Sequence, residues 1–210
     1  MINDYLKLLW NSFKVNAHKP ALTDKGGTRT ITYHELEKMV DKIASSLKAL
    51  KGEDISPVPI LMDNEAEYLI SELAVWKAGL SFIPLAISYP KERIDFIKNQ
   101  NDVKIILDKE LFDKLSNEDF KGFDKNEEIP MQSKAFLIYT SGSTGSPKGI
   151  LHTFDSLMYL HRNNSPFSGI ENIVWGSSAP FYFIASTWAN FEILISGGLV
   201  QPARYMLKSH

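Results

Sequence analysis

The sequence predicts an α/β protein with parallel-rich sheets flanked by helices. Three observations carry that prediction. Short apolar, β-type runs alternate with helical patterns along the chain; no internal repeat or long apolar segment breaks the alternation; and 210 residues, 44% of them apolar, suffice for a sizeable core. Strands separated by helices pair in parallel through right-handed crossovers, which lays helices on both faces of a sheet.

The elements follow in order. Leu6, Leu9, Trp10 and Phe13, with Lys7, Asn11 and Lys14 between them, have the spacing of an amphipathic helix. Thr32 followed by Glu35 forms a capping box ahead of Tyr33, Leu36, Val40, Ile43 and Leu47, predicting a helix over 32–50. Residues 55–62 read as a strand, and Pro57 and Pro59 suggest an edge or an irregular start. A helix over 64–77 stops at Gly79. Residues 80–87 form a strand, Pro90 opens a short helix carrying Ile94 and Ile97, 103–107 is β-rich, and 109–116 is helical. The polar, charged segment 117–133 is the best boundary, giving a first α/β subdomain at 1–130 and the start of a second at 131–210. A strand at 135–139, a Gly-rich loop, a helix at about 152–162, a strand at 173–177, a helix at 187–195 and a short strand from Leu199 complete the reading.

Bulk properties exclude several classes. Lys and Arg number 23 against 25 Asp and Glu, so no basic excess argues for nucleic acid or an anionic membrane. The absence of cysteine removes disulfide, thiol and thiolate-metal chemistry. No stretch approaches the roughly 18 apolar residues of a membrane span, and the N-terminus lacks the unbroken apolar run of a signal peptide, so a cytoplasmic protein is expected. His18, His34, His161 and His210 have no metal-ligand spacing with Asp or Glu. The charged segment 108–128 reads as a solvated face and connector.

The loop Tyr139-Thr-Ser-Gly-Ser-Thr-Gly-Ser-Pro-Lys-Gly149 carries the chemistry. Gly142, Gly145 and Gly149 let backbone N–H groups approach a ligand. Thr140, Ser141, Ser143 and Thr144 add hydroxyl donors, and Lys148 adds a cation behind Pro147. Donors and a cation with no acid among them suit a polyphosphate, and a surface loop is the other reading that the residues leave open. It is not a Walker A loop, since Pro147 stands where the second glycine should, and G-x-G-x-x-G fails as well. His152, expected in the first helical turn, reads as a surface or capping contact, with approach to a phosphate as the alternative.

This loop resembles the phosphate-loop signature of the adenylate-forming superfamily, which includes acyl-CoA synthetases, nonribosomal-peptide adenylation domains and luciferases. Ile31-Thr-Tyr-His-Glu-Leu36 and Val75-Trp-Lys-Ala-Gly-Leu-Ser-Phe-Ile-Pro-Leu85 resemble the family's first two core motifs, and Phe183 to Gly197 resembles the helix lining its acyl pocket. The resemblance implies the N-terminal part of the large domain of an enzyme that joins a carboxylic acid to ATP with Mg²⁺. The products would be an acyl-adenylate and pyrophosphate, followed by transfer to the thiol of CoA or of carrier-protein pantetheine. It assigns ATP phosphates to Thr140, Ser141, Gly142, Ser143, Thr144, Gly145 and Lys148, and an acyl pocket to Phe183, Ile184, Ala185 and Trp188; without the loop, core is the favoured reading of the pocket stretch.

Two departures qualify the resemblance. Ile184 stands where amino-acid-activating members carry an Asp for the substrate ammonium, so a substrate lacking an α-amino group is expected; Gly149-Ile-Leu-His-Thr153 also resembles short-chain acyl-CoA synthetases. The family's adenine motif, metal-binding acid, ribose-binding Asp, hinge and late catalytic lysine have no counterpart among these residues. The expectation is therefore no complete catalytic set and no metal site in this chain, which needs the C-terminal portion of the same enzyme. The alternative is a catalytically incomplete nucleotide-binding remnant or half-enzyme with a partner subunit.

Overall fold

Thr32 sets the first long element of the fold. Its side chain accepts from the Glu35 amide while the Glu35 carboxylate accepts from the Thr32 amide at 2.8 Å, closing the capping box and starting α2 (Tyr33–Lys51). The computed structural model describes residues 4–24, 27–63, 66–118, 134–141, 147–167, 169–177 and 179–202. Ahead of α2 come α1 (Asp4–Val15) and a hairpin of β1 (Pro20–Thr23) and β2 (Thr30–Thr32) that the sequence reading missed, its strands being only four and three residues long. After α2 follow β3 (Val58–Leu61), α3 (Ala66–Lys77), β4 (Phe82–Leu85), α4 (Lys91–Gln100), β5 (Leu107–Asp108) and α5 (Lys109–Asn117). Then come β6 (Lys134–Ser141), β7 (Pro147–Thr153), α6 (Phe154–Asn164), β8 (Val174–Gly176), α7 (Ile184–Ile195) and β9 (Leu199–Gln201).

The strands form two sheets, in the orders β2-β1-β9-β8 and β5-β3-β4-β6-β7. Five of the seven pairings are parallel, and β1–β2 and β6–β7 are antiparallel. Each sheet takes strands from both sides of residue 130.

Two expectations are corrected here. Residues 55–62 were expected at an edge or with an irregular start; the strand does begin only at Val58, after Pro57, but β3 lies inside its sheet, between β5 and β4. The ladder explains how Pro59 is tolerated. The Val58 amide donates to the Ser81 carbonyl on the β4 side, so alternation turns the Pro59 nitrogen toward β5, which pairs with β3 only from Ile60 onward. Residues 147–153 were expected to lead directly into a helix; they form β7, antiparallel to β6, and Thr153 caps α6 through the Ser156 amide. Gly149 and the apolar pair Ile150-Leu151 extend the hairpin where glycine and proline had suggested only loop.

The main core centres on α3, which is buried on almost every side. Trp76 packs edge-on or tilted against Tyr5, Phe82, Phe154 and Phe191 and stacks on Phe136, with the Phe191 centroid at 4.1 Å. Its indole N–H donates to the Ala135 carbonyl at 2.9 Å. Ala135 is the extra residue of a β-bulge, since Lys134 and Phe136 pair with the consecutive Thr153 and His152.

One turn before Trp76, Glu72 is fully buried, and neither carboxylate oxygen has a hydrogen-bond partner among the described residues. Burial pushes its carboxyl well above the ordinary value of 4.5, so the folded protein holds the proton longer than the unfolded chain does. Its contribution to stability is therefore fully present below that ordinary value and is lost as pH rises toward and through the folded value. Glu72→Gln, which cannot ionise, should gain stability relative to the parent as pH rises from 4.5 to 8. A melting-temperature difference that stays flat across that range would refute the assignment.

Candidate functional site

The site begins with the register of the β6–β7 hairpin. Tyr139 pairs with Gly149, Thr140 with Lys148 and Ser141 with Pro147, and residues 142–146 join the two strands. Directly opposed residues share a face with Cβ atoms about 5 Å apart, so the ladder brings Thr140 and Lys148 together. Both are exposed, and among the described residues no acid pairs with Lys148. The ladder thus sets a hydroxyl and an ammonium side by side next to the Gly/Ser/Thr-rich residues 142–146, a pair able to donate to an anion. The strand places Ser141 at the same end, while Gly142, Ser143, Thr144 and Gly145 lie outside the described residues.

Tyr139 fixes the opposite face. Its ring lies over Gly149, where an added Cβ would come within 3.0 Å of Cζ. The hydroxyl donates to Gln100 Oε1 at 2.8 Å and accepts from Asn101 Nδ2 at 2.6 Å, so the ring is held where α4 ends. The start of α4 reaches the same residue, since Arg93 Nη2 donates to the Tyr139 carbonyl at 3.1 Å.

His152 is not in a helical turn. It sits on β7 opposite Phe136, with the rings stacked at 4.8 Å, so it makes no helix-capping contact. Burial lowers its pKa from the ordinary 6.5, so the neutral ring is the form that fits this sheet face.

The second cluster is the start of α7. Thr187 Oγ1 donates to the carbonyls of Phe181 at 2.8 Å and Phe183 at 3.1 Å, and Ser186 Oγ donates to Ala179 at 2.8 Å. These bonds pin the turn that enters the helix, so its first residues project outward without loosening. Phe183 is 52% exposed and Ile184 40%, and Ala185 is exposed as well. Trp188, one turn on from Ile184 and Ala185, is half-buried against the core. Phe181, by contrast, is wholly buried, so this stretch divides at Tyr182 into core and presented surface.

Between the clusters runs a contact path that sequence reasoning missed. The Arg93 guanidinium lies 4.0 Å above the Tyr89 ring, Tyr89 meets Tyr182 edge-on at 6.1 Å, and Tyr182 lies against Phe183 at 5.1 Å. The available signal was Tyr89-Pro-Lys-Glu-Arg93, an aromatic and a cation four residues apart across a helix start. Among the described residues, no three His, Asp or Glu side chains converge on a metal site, and no helix is long and apolar enough to cross a membrane.

The two-sheet α/β scaffold thus carries a hairpin bearing a hydroxyl and a lysine, and an exposed apolar helix start joined to it through Arg93, Tyr89 and Tyr182. The family profile described as "AMP-binding enzyme" matches residues 9–205, and the chain belongs to that family. It is 33% identical over 186 residues to gramicidin S synthase 1 of Brevibacillus brevis and 32% identical over 187 residues to tyrocidine synthase 1 of Brevibacillus parabrevis. Each match covers 80% of this chain and 17% of the relative. The fold is shared with O-succinylbenzoate coenzyme A synthetase of Bacillus subtilis in complex with AMP, at a TM-score of 0.81 and 23% identity, over 94% of this chain and 55% of that one. It is also shared with the N-terminal subdomain of NpsA from Klebsiella oxytoca in complex with 3-hydroxyanthranilyl-AMSN, at a TM-score of 0.81 and 20% identity, over 93% and 52%. The chain thus spans about half the length of these structural neighbours and less of the curated relatives.

Because the Tyr139 ring is held at its hydroxyl and cannot easily yield, Gly149→Ala should destabilise the protein by about 1–3 kcal/mol through overpacking. Chemical denaturation measures it. An unchanged midpoint would mean that the ring moves freely.

Proposed function

We propose that this chain is the N-terminal lobe of an ATP-dependent ligase that activates a carboxylic acid as its acyl-adenylate. The observation that carries the proposal is the pairing of Thr140 with Lys148 on the strands that flank residues 142–146. In the reaction, a carboxylate oxygen attacks the α-phosphorus of ATP, the bond from that phosphorus to the bridging oxygen breaks, and pyrophosphate leaves with the bonding electrons. Charge accumulates on the leaving oxygens, where preorganised donors are worth most. Thr140, Ser141, Gly142, Ser143, Thr144, Gly145 and Lys148 are assigned to those phosphates. Membership of the AMP-binding family supports the assignment.

The donor set fits phosphate and does not fit a divalent metal, since the paired groups are a hydroxyl and an ammonium. Mg²⁺ accompanying ATP would be held by residues other than this pair. Phe183, Ile184, Ala185 and Trp188 are assigned to the acyl side. Exposure of Phe183 and Ile184 supports this, because a core role would bury them. Ile184 offers no counter-charge to an ammonium, so the substrate class is a carboxylic acid without an α-amino group. Acyl transfer to a CoA or carrier-protein thiol would complete the reaction with the C-terminal portion of the enzyme.

The test is acid-dependent exchange of labelled pyrophosphate into ATP by the full-length protein, over a panel of fatty, aryl and α-amino acids. Lys148→Ala should lower the exchange rate by about 10²–10³-fold with an unchanged melting temperature. Equal loss of stability and rate would sink the phosphate assignment, and ATP binding with no exchange for any acid would favour a binding module over a ligase. Ile184→Asp should weaken an acid lacking the amino group by placing an unpaired charge against it. Unchanged preference across the panel would put Ile184 outside the acyl pocket.

A further inference from the structure

We propose that Arg93 is a positioning residue that sets the phosphate hairpin and the acyl-side turn in one fixed relation, so that a change at either is felt at the other. The proposal depends on the functional reading above for its catalytic consequence, but its structural basis is independent of that reading.

The first half of the argument is the grip of α4 on the hairpin. Tyr139 is the last buried residue of β6 before the Thr140–Lys148 pair, and α4 holds it at both ends. Arg93 takes its carbonyl, and Gln100 and Asn101 take its hydroxyl. A residue fixed at its main chain and at its side-chain tip by one rigid helix moves with that helix. Thr140, the next residue, and Lys148, its ladder partner, are carried along.

The second half is the guanidinium itself. Its Cζ lies 4.0 Å from the centroid of the Tyr89 ring while Nη2 donates to the hairpin, so a single group touches both partners. Arg93 Nε is buried and has no hydrogen-bond partner among the described residues, and no acid there forms an ion pair with the group. A guanidinium that is partly desolvated, bonded to a carbonyl and seated over a ring has few alternative poses. From Tyr89 the path passes by edge and tilted ring contacts to Tyr182 and Phe183, which opens α7. Lysine in its place would lose the fork that reaches ring and carbonyl together, and glutamine would lose the charge over the ring as well.

Hydrogen–deuterium exchange of the full-length protein, read by mass spectrometry, tests this without substrate. Arg93→Gln should raise exchange several-fold in peptides covering 134–153 and 179–190 and leave 33–51 unchanged. Tyr89→Leu, which keeps apolar bulk but removes the ring, should raise 179–190 alone. No change at 179–190 in either variant overturns the coupling. If Arg93→Gln raises all three regions together, the variant has merely lost stability, and Tyr89→Leu then decides. In pyrophosphate exchange, Arg93→Gln should lower kcat by about a hundredfold, the scale of an ångström-sized misplacement, while KM for ATP stays within about threefold. A rise in KM alone would make Arg93 a binding group and overturn the positioning role. If the parent enzyme shows no exchange, the functional reading fails and the hydrogen-exchange outcomes alone decide on Arg93.

Discussion

The packing of Trp76 is the constraint on which the rest of the structure depends. One indole meets rings from α1, β4, β6, α6 and α7, and its N–H closes the carbonyl that the bulge at Ala135 would otherwise leave open. Removing it would open a cavity and orphan a buried acceptor together, two costs that arise at one position. The bulge sets the phase of the hairpin. A bulge shifts side-chain alternation by one residue, so it decides which face receives Tyr139 and which receives Thr140. The indole in the core and the Thr140–Lys148 pair are therefore linked by register.

A similar economy holds the far end of the chain. Tyr33 OH, at the start of α2, donates to the Gly198 carbonyl at 2.7 Å, and Ser12 Oγ of α1 donates to the Leu194 carbonyl at 2.6 Å. The Gly197 amide bonds Leu194 and the Gly198 amide bonds Ile193, with Gly197 at φ 75°, which is the left-handed helix ending glycine permits. These bonds deliver β9 between β1 and β8, so the sheet that begins the chain is completed by strands that follow the hairpin. At the other side of α7, Glu192 is wholly buried but satisfied, accepting from Tyr5 at 3.1 Å and meeting His161 Nδ1 at 2.8 Å. The helix is thereby anchored along its C-terminal half.

What the sequence made legible follows from range. The capping box at Thr32 and Glu35, the stop at Gly79 and the start at Pro90 are local codes, and each governs an element observed close to where it was expected. The loop from Tyr139 to Gly149 was legible as chemistry because its residue types speak for themselves. Its setting was not, since β7 is specified by pairing with β6 and not by its own composition. The interior place of β3 was hidden for the same reason, because only the short reach of β5 makes Pro59 acceptable there. Arg93 was invisible as a site residue because its partners, Tyr139 and Tyr89, are brought to it from different elements by the fold.

The division of labour along α7 gives the site its physical logic. Exposing Phe183 and Ile184 to water forgoes the burial that most apolar side chains gain, and such a surface survives only if the helix behind it is strongly held. The bonds at Leu194, Gly198 and Glu192 supply that hold, and the hydroxyls of Ser186 and Thr187 carry it forward to the first turn. An apolar wall fixed this way can present one shape to a ligand without collapsing onto its own core. The hairpin is built on the same plan, with Tyr139 clamped on one face so that Thr140 and Lys148 stand free on the other. In both places hydrogen bonds from neighbouring elements hold the segment, and the exposed side chains project from it.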